Sequence, residues 1–479
     1  MCGIFGIIGK LPIADSIYHG MIQLQHRGQD AAGIFAYDPK TQKHTLHKDL
    51  GLVKDVYASD AHTLPYASWG IGHVRYSTIG KGRKIDSQPL YINDRHTIAM
   101  AHNGNLVNYG ALRREMEMNG VLLETTCDLE PMLHIFSKEL SNQEVIFPDI
   151  IAASKQLFKK AQGAFSLVAI IAGVGMVAVR DPSGIRPLLM GYNDDCQSYA
   201  FASENSALNA YGFDHFESIK PGEVVFIDSD FVVYRETLTN KKPSLCSFEH
   251  NYFSKPNTVI DEQEVYTVRC RLGEALARHV ANAGIDIDVV SAVPSSARAA
   301  ALSLAKAINV DYQEGFVKQD NIGRTFIMPT QGTRQKALSR KLAPVHSVFN
   351  GKNVLLVDDS IVRGTVSKRV VSLAKWAGAK RVYFASTYPP IRYPCLYGID
   401  FPTPEQLIAH QKDTDQIAKE NGVNGLVYNT VEDLEKAMET DNLCTACLTG
   451  KYPTETHGKE ELQQLREADL KEVEPLCHL

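Results

Sequence analysis

The second residue of this chain, Cys2, has the type and the position to act as a nucleophile. Once Met1 is removed, its thiol and a free α-amino group share one carbon. Such an amine has a pKa near ~7.7–8.0, so part of it is unprotonated at neutral pH. It can take the proton from the adjacent thiol, which makes an N-terminal nucleophile that carries its own base. Gly3 and Gly6 let neighbouring backbone approach closely. A cysteine at an arbitrary position packs more simply as a small hydrophobe; before Gly-Ile-Phe-Gly the expectation is catalysis, on mature protein that begins at Cys2. A second chemical run lies far along the chain, from Val354 to Ser367. An apolar strand ends in Asp358 and Asp359, a turn carries Ser360, Arg363, Gly364 and Thr365, and a helix follows. That order sets exposed N–H groups and a positive helix end where a phosphate binds. The two aspartates can hold a ribose diol or help to orient Mg²⁺, which is bound through few carboxylates plus substrate oxygens.

The 479 residues include nine cysteines, with no basic start or cleavable apolar core at the N-terminus. The expected location is cytoplasmic, where thiols serve chemistry or metal ligation more than disulfides. Cys444-Thr-Ala-Cys447, by itself, suits zinc, a redox pair or neither. A net charge of -5 and a pI of about 6.4 lack the basic excess of a nucleic-acid binder. The longest apolar stretch, Ala164 to Val179, is broken by Gly173 and Gly175, so two strands around a turn are expected and not a membrane span.

These residues need elements to position them. Up to about residue 240 the chain is dense in short β-like runs: Ile4–Ile8, Gly70–Tyr76, Ile98–Ala101, Phe165–Ile171, Met176–Arg180 and Val224–Ile227. A helical pattern at Ala14–His26 places Ile17, Met21, Ile22 and Leu24 toward one face. This mixture predicts a layered α+β domain. A non-periodic stretch with Pro243 and Pro256 reads as a linker. Beyond it strands and helices alternate: strand Val289–Val293, helix Arg298–Ile308, strand Val354–Val357, helix Val366–Ala377, strand Arg381–Ser386. That rhythm predicts a parallel sheet. A polar tail with a helix in Glu460–Leu470 closes the chain.

The segment VLLVDDSIVRGT resembles the ribose-5-phosphate loop of type I phosphoribosyltransferases. With CGIFGI, LQHRGQDAAGI, GHVRYST, AHNGNL, GRTFI and CLTGKYPTE in order, the chain resembles the glutamine phosphoribosylpyrophosphate amidotransferases, specifically their iron–sulfur branch, over nearly its whole length. The resemblance implies an N-terminal-nucleophile αββα glutaminase domain (residues 2–240), a type I phosphoribosyltransferase domain (258–450) and a C-terminal tail (451–479). It makes Cys2 the attacking thiol, Asn103 and the Gly104 N–H the oxyanion donors, and Arg27 a residue that positions the nucleophile. Arg75 would pair with the glutamine α-carboxylate and Asp128 with its α-ammonium. Asp358, Asp359, Ser360, Arg363, Gly364, Thr365 and Arg324 would bind phosphoribosylpyrophosphate. Ser296, Asp358 and Asp359 would hold Mg²⁺, and Gly323–Phe326 would belong to a closing loop. Cys246, Cys395, Cys444 and Cys447 match the four ligands of a [4Fe–4S] cluster. A homotetramer inhibited by purine nucleotides is implied, with neither nucleic acid nor membrane as a partner.

The chain departs from the family pattern at several points. Cys127 stands where Ser commonly precedes the aspartate, and Ser295 where an acid is frequent. Lys318-Gln319-Asp320-Asn321 replaces Lys-Asn-Arg-Tyr, and Lys255 and Asn257 replace Arg and Asp. These departures motivate a second reading, a regulator that binds phosphoribosylpyrophosphate or nucleotides and has lost activity. Glucosamine-phosphate synthase and asparagine synthetase also begin Cys-Gly-Ile, but the Val354–Ser367 segment argues against both.

Overall fold

The computed structural model describes residues 1–57, 67–76, 82–318, 342–401 and 403–473. Arg324, the Gly323–Phe326 loop, Asp320 and Asn321 lie outside them.

Two antiparallel sheets stack in the first half of the chain. The seven-stranded sheet has Gly3–Ile8 at its centre, between Ser198–Ala202 and Trp69–Arg75. The six-stranded sheet pairs Thr97–Leu106 with Gly163–Ile171, and the latter with Gly175–Arg180. Strand alternation decides which layer each side chain joins. Ile4 and Ile8 point between the sheets, against Ala101, Val168 and Ile170. Phe5 and Ile7 point outward under the helix Ala14–Leu24, against Ile17, Met21 and Leu24. A Cβ on Gly6 would lie 2.7 Å from Val168 Cγ1, so glycine here permits the close approach of the two sheets. Helices Leu129–Glu139 and Phe147–Lys160 cover the outer face of the second sheet. The result is an αββα sandwich.

The second half is built on a four-stranded parallel sheet, in the order Val289–Ala292, Asn353–Asp358, Arg381–Ser386, Gly425–Tyr428. Both faces are buried, which is why these strands read as continuous apolar runs. Val354, Leu356 and Phe384 pack under the helix Thr365–Trp376. Leu355, Val357 and Ala385 face the helices Val265–Asn282 and Arg298–Ile308. The fold is therefore an αββα sandwich followed by a parallel-sheet domain, the two architectures that the resemblance implied.

The stretch expected to be a linker is not a solvated tether. Its residues Cys246, Ser247, Glu249, His250 and Asn251 are buried, and a π-helical turn spans Glu249–Phe253. One apolar core runs through Leu133, Phe165, Phe248, Tyr388, Leu396 and Leu462 and joins both halves of the chain to the C-terminal helix Lys459–Val473. Among the described residues, no helix is long and apolar enough to cross a membrane.

Candidate active sites

Cys2 sits at the start of the central strand, partly buried. Its backbone N–H donates to Asn103 Oδ1 at 3.2 Å, and its carbonyl accepts from Arg27 Nε at 3.0 Å. The Tyr76 amide lies 3.5 Å from the thiol sulfur. With its oxygen engaged by Cys2, Asn103 keeps its Nδ2 buried and without a partner. Buried amide donors are normally satisfied, so an idle one beside a thiol suits an oxyanion.

Asn-Gly favours tight hairpin turns, but this pair does not form one. Asn103 and Gly104 lie inside the strand Thr97–Leu106, paired with Ser166 and Phe165. Gly104 has φ +154°, and a Cβ there would lie 1.9 Å from the Ala164 carbonyl oxygen. Glycine thus lets the strand continue where any side chain would collide. We expect Asn103→Ala to lower kcat for glutamine hydrolysis by about 10²–10³, with little change in KM, because the donor acts on charge that develops in the transition state. Steady-state kinetics checks this.

Arg27 is wholly buried and held from two sides. Its Nη1 donates to Glu204 at 2.5 Å and its Nη2 to Glu249 at 2.8 Å, and its guanidinium stacks over the Phe253 ring. Glu249 also reaches Arg186 Nη1 at 3.4 Å. Burial drives Glu204 upward, but His26 and Arg27 outweigh it and hold the carboxyl far below its ordinary range. A buried charge of this kind persists only when paired. Glu204 and Glu249 were not anticipated from the sequence; a glutamate in an apolar context such as Cys-Ser-Phe-Glu249 was the available signal.

Arg75 ends the strand Trp69–Arg75 and is buried. Asp128 is the N-cap of the helix Leu129–Glu139. Its carboxylate accepts from His102 Nε2 at 3.1 Å and from the Leu106 amide at 3.0 Å. Burial opposes its ionisation, yet His102, the Leu106 amide and Arg75 together keep it below the usual carboxylate range.

The second site forms where the parallel strands end, the usual ligand crevice of such sheets. Asp358 closes the strand Asn353–Asp358, and Gly364, at φ +75°, caps the helix Thr365–Trp376. Between them Ser360, Ile361, Val362 and Arg363 line a cavity. Ser296 Oγ donates to Asp359 Oδ2 at 2.5 Å and Ser360 Oγ to Oδ1 at 2.6 Å. Burial pushes Asp358 well above the carboxylate range, and Asp359 beside it adds to the effect. Two buried, adjacent acids held reluctantly as anions fit a site that a cation or ribose hydroxyls complete. Arg363 is turned toward Asp400, at 3.2 Å, and Gln406, at 3.0 Å. Arg269 approaches Asp359 from the helix Val265–Asn282; burial lowers it to about 10.

A cavity of about 680 Å³ is lined by Ser296, Asp358, Asp359 and Arg363–Ser367 of the second site and extends to Met1, His26 and Tyr76, chain neighbours of the first site's Cys2, Arg27 and Arg75. The segment Cys395–Phe401 braces it. Leu396 O accepts from Asn105 Nδ2 at 3.0 Å, a Cβ on Gly398 would lie 3.1 Å from Gly104 O, and Asp400 meets Arg363.

Cys246, Cys395, Cys444 and Cys447 line one small interior cavity with Arg186 and Tyr388. Cys246 and Cys444 are partners in a short parallel pairing, Leu245–Cys246 with Leu443–Cys444. Burial pushes the thiols of Cys246, Cys444 and Cys447 up, and Arg186 faces them as a fully buried cation. Among the described residues, no three of these sulfurs lie within 4.8 Å of one another. A single tetrahedral zinc would draw four sulfurs to roughly 3.8 Å apart. Four thiols around one cavity, with a buried arginine to offset thiolate charge, are a donor set that suits a metal centre.

A glutamine amidotransferase domain model matches residues 73–210. The amidophosphoribosyltransferase of Pseudomonas aeruginosa is 41% identical, covering 98% of this chain and 96% of its own length. That of Escherichia coli is 42% identical over 92% and 89%. A solved structure of the allosteric regulatory enzyme of purine biosynthesis superposes with a TM-score of 0.87 at 37% identity, covering 97% of this chain and 99% of its own. The glutamine phosphoribosylpyrophosphate amidotransferase of B. subtilis, complexed with ADP and GMP, superposes at 0.84 with 36% identity over 95% and 98%.

Proposed function

The chain belongs to the amidophosphoribosyltransferase family, and on that premise we propose how its two sites share one reaction. The enzyme makes 5-phosphoribosylamine, glutamate and pyrophosphate from glutamine, phosphoribosylpyrophosphate and water, the first step of purine biosynthesis. The reading of a regulator without activity finds no support among relatives named throughout as enzymes.

Cys2 attacks the glutamine carboxamide carbon, after its own amine takes the thiol proton. Asn103 Nδ2 and the Gly104 N–H receive the charge on the carbonyl oxygen. Arg75 pairs with the α-carboxylate and Asp128 with the α-ammonium, while Arg27 fixes the Cys2 backbone. Ammonia leaves, and water releases glutamate. In the second site Ser360, Gly364 and Thr365 hold the 5-phosphate, joined by Arg363 once it turns from Asp400. Ser296, Asp358 and Asp359 would hold Mg²⁺, which when bound neutralises charge on the pyrophosphate. Ammonia attacks C1 and pyrophosphate departs. The residues' contribution there is orientation and exclusion of water. Arg324 is assigned to binding phosphoribosylpyrophosphate.

The observation that carries this reading is that the cavity of the second site reaches Tyr76, whose amide lies 3.5 Å from the Cys2 sulfur. A coupled assay following glutamate and pyrophosphate tests it. Equal release of both, each dependent on both substrates, supports the synthase; binding of phosphoribosylpyrophosphate without release refutes it. We further assign a cytoplasmic homotetramer with purine nucleotide effectors, a reading supported by the nucleotides in the B. subtilis relative.

Cys246, Cys395, Cys444 and Cys447 would hold a [4Fe–4S] cluster with a structural role, tying the buried linker to the sheet end and the C-terminal region. Protein purified without oxygen is expected to be brown, with about four irons per chain. Cys444→Ser should lose the iron and destabilise the second domain. Colourless, fully active anaerobic protein with stoichiometric zinc would contradict this.

A further inference from the structure

His102, Cys127 and Asp128 bring an imidazole nitrogen, a thiol sulfur and a carboxylate oxygen within 4.8 Å of one another, all three buried. Among the described residues this is the only group of three or more potential metal-ligating side chains that close. His102 Nε2 and Asp128 Oδ1 are 3.1 Å apart, and Cys127 Sγ and Asp128 Oδ1 3.9 Å. A tetrahedral ion with bonds of ~2.0–2.3 Å separates its N, O and S ligands by roughly 3.3–3.6 Å, so little movement is needed. The other nitrogen of His102, Nδ1, is buried without a partner, an unmet polar atom where interiors normally satisfy them. Gln88 ties the group together: its Oε1 accepts from the His102 amide at 2.7 Å, and its Nε2 lies 3.6 Å from Cys127 Sγ.

We propose that these three side chains bind a thiophilic divalent cation, of which zinc(II) is the type, and that the bound ion closes the glutamine pocket. This rests on the assignment of Asp128 to the substrate α-ammonium: an ion on that carboxylate and an ammonium exclude each other. Cys127 supplies the one soft ligand of the three, which a serine at this position would not. On binding, the Cys127 thiol loses its proton to solvent, and so does His102 where it is charged; the ion gains thiolate, imidazole and carboxylate ligands, with no change of oxidation state. Lys48 and Arg75 share the local field. Their positive charge disfavours a hard cation that gains only electrostatically, so Mg²⁺ at equal concentration should leave glutamine hydrolysis unchanged.

Zinc is expected to suppress glutamine hydrolysis by the full-length protein at least tenfold, competitively with glutamine, while synthesis from added ammonia persists. Cys127→Ser should need at least tenfold more zinc for the same suppression. An unchanged zinc requirement in Cys127→Ser would overturn the proposal and point to the Cys2 thiol. A second measurement does not depend on activity. Cobalt(II) added to Cys2→Ser protein should give a near-ultraviolet thiolate-to-metal band that is absent from Cys2→Ser/Cys127→Ser protein and is abolished by glutamine. Equal bands in both proteins would remove the site. A Cys127-dependent band that persists with saturating glutamine would keep the metal site and refute the role given to Asp128.

Discussion

Cys2→Ser is expected to lower glutamine-dependent synthesis by at least about 10³-fold and to leave synthesis from free ammonia nearly intact. The Cys2 thiol lies beside the Asn103 donor, and losing a nucleophile removes the covalent route. The second site has its own substrate turn, Asp358 to Thr365, at the end of a different sheet. Serine preserves the volume near Tyr76 and Asn103, so the fold should tolerate it. The same chemistry requires a free α-amine on Cys2, so intact mass spectrometry of active enzyme should find Met1 removed. Loss of ammonia-dependent synthesis in folded Cys2→Ser protein would show that one site, not two, performs the reaction.

The second large effect is expected at the acid pair. Asp358→Asn and Asp359→Asn should each lower phosphoribosylpyrophosphate-dependent synthesis by roughly 10²–10³, the scale for losing one positioned group in a preorganised site. Cys2 should stay reactive toward a glutamine-like alkylating agent in both variants. Asp359 receives hydroxyls from Ser296 and Ser360 on opposite oxygens, so asparagine, with one oxygen, leaves one of those donors without its acceptor. Unchanged synthesis in both variants would remove the ribose and Mg²⁺ roles assigned here.

Much of this architecture is legible because burial on both faces leaves a clear trace. The strand from Asn353 to Asp358 is buried at every position, and its apolar run ends at the first aspartate. Alternation in Gly3–Ile8 likewise sorts Ile4 and Ile8 from Phe5 and Ile7. The linker misled because its burial comes from polar partners contributed by distant segments. Glu249 is matched by Arg27 and Arg186, and Asn251 Nδ2 donates to Asp359 O at 3.0 Å. No local periodicity encodes such partners. Asn103-Gly104 has turn chemistry, but its neighbour Gly163–Ile171 draws it into a long ladder. The convergence of Cys246 and Cys395 on Cys444 and Cys447 was readable only through resemblance, since the sulfurs come from segments that meet only in the folded core. The His102 contact with Asp128 left no signal of its own.

The central claim is that ammonia made at Cys2 reaches C1 of the ribose inside the protein. The direct measurement is isotopic: amide-¹⁵N glutamine and phosphoribosylpyrophosphate are turned over in buffer containing excess ¹⁴N ammonium, and the phosphoribosylamine is trapped and its nitrogen read by mass spectrometry. Transfer through the cavity predicts product carrying predominantly ¹⁵N, at one glutamate per pyrophosphate. Product whose label instead matches the bulk ammonium pool would mean that ammonia leaves the protein before it reacts, and the two sites would not be coupled as described.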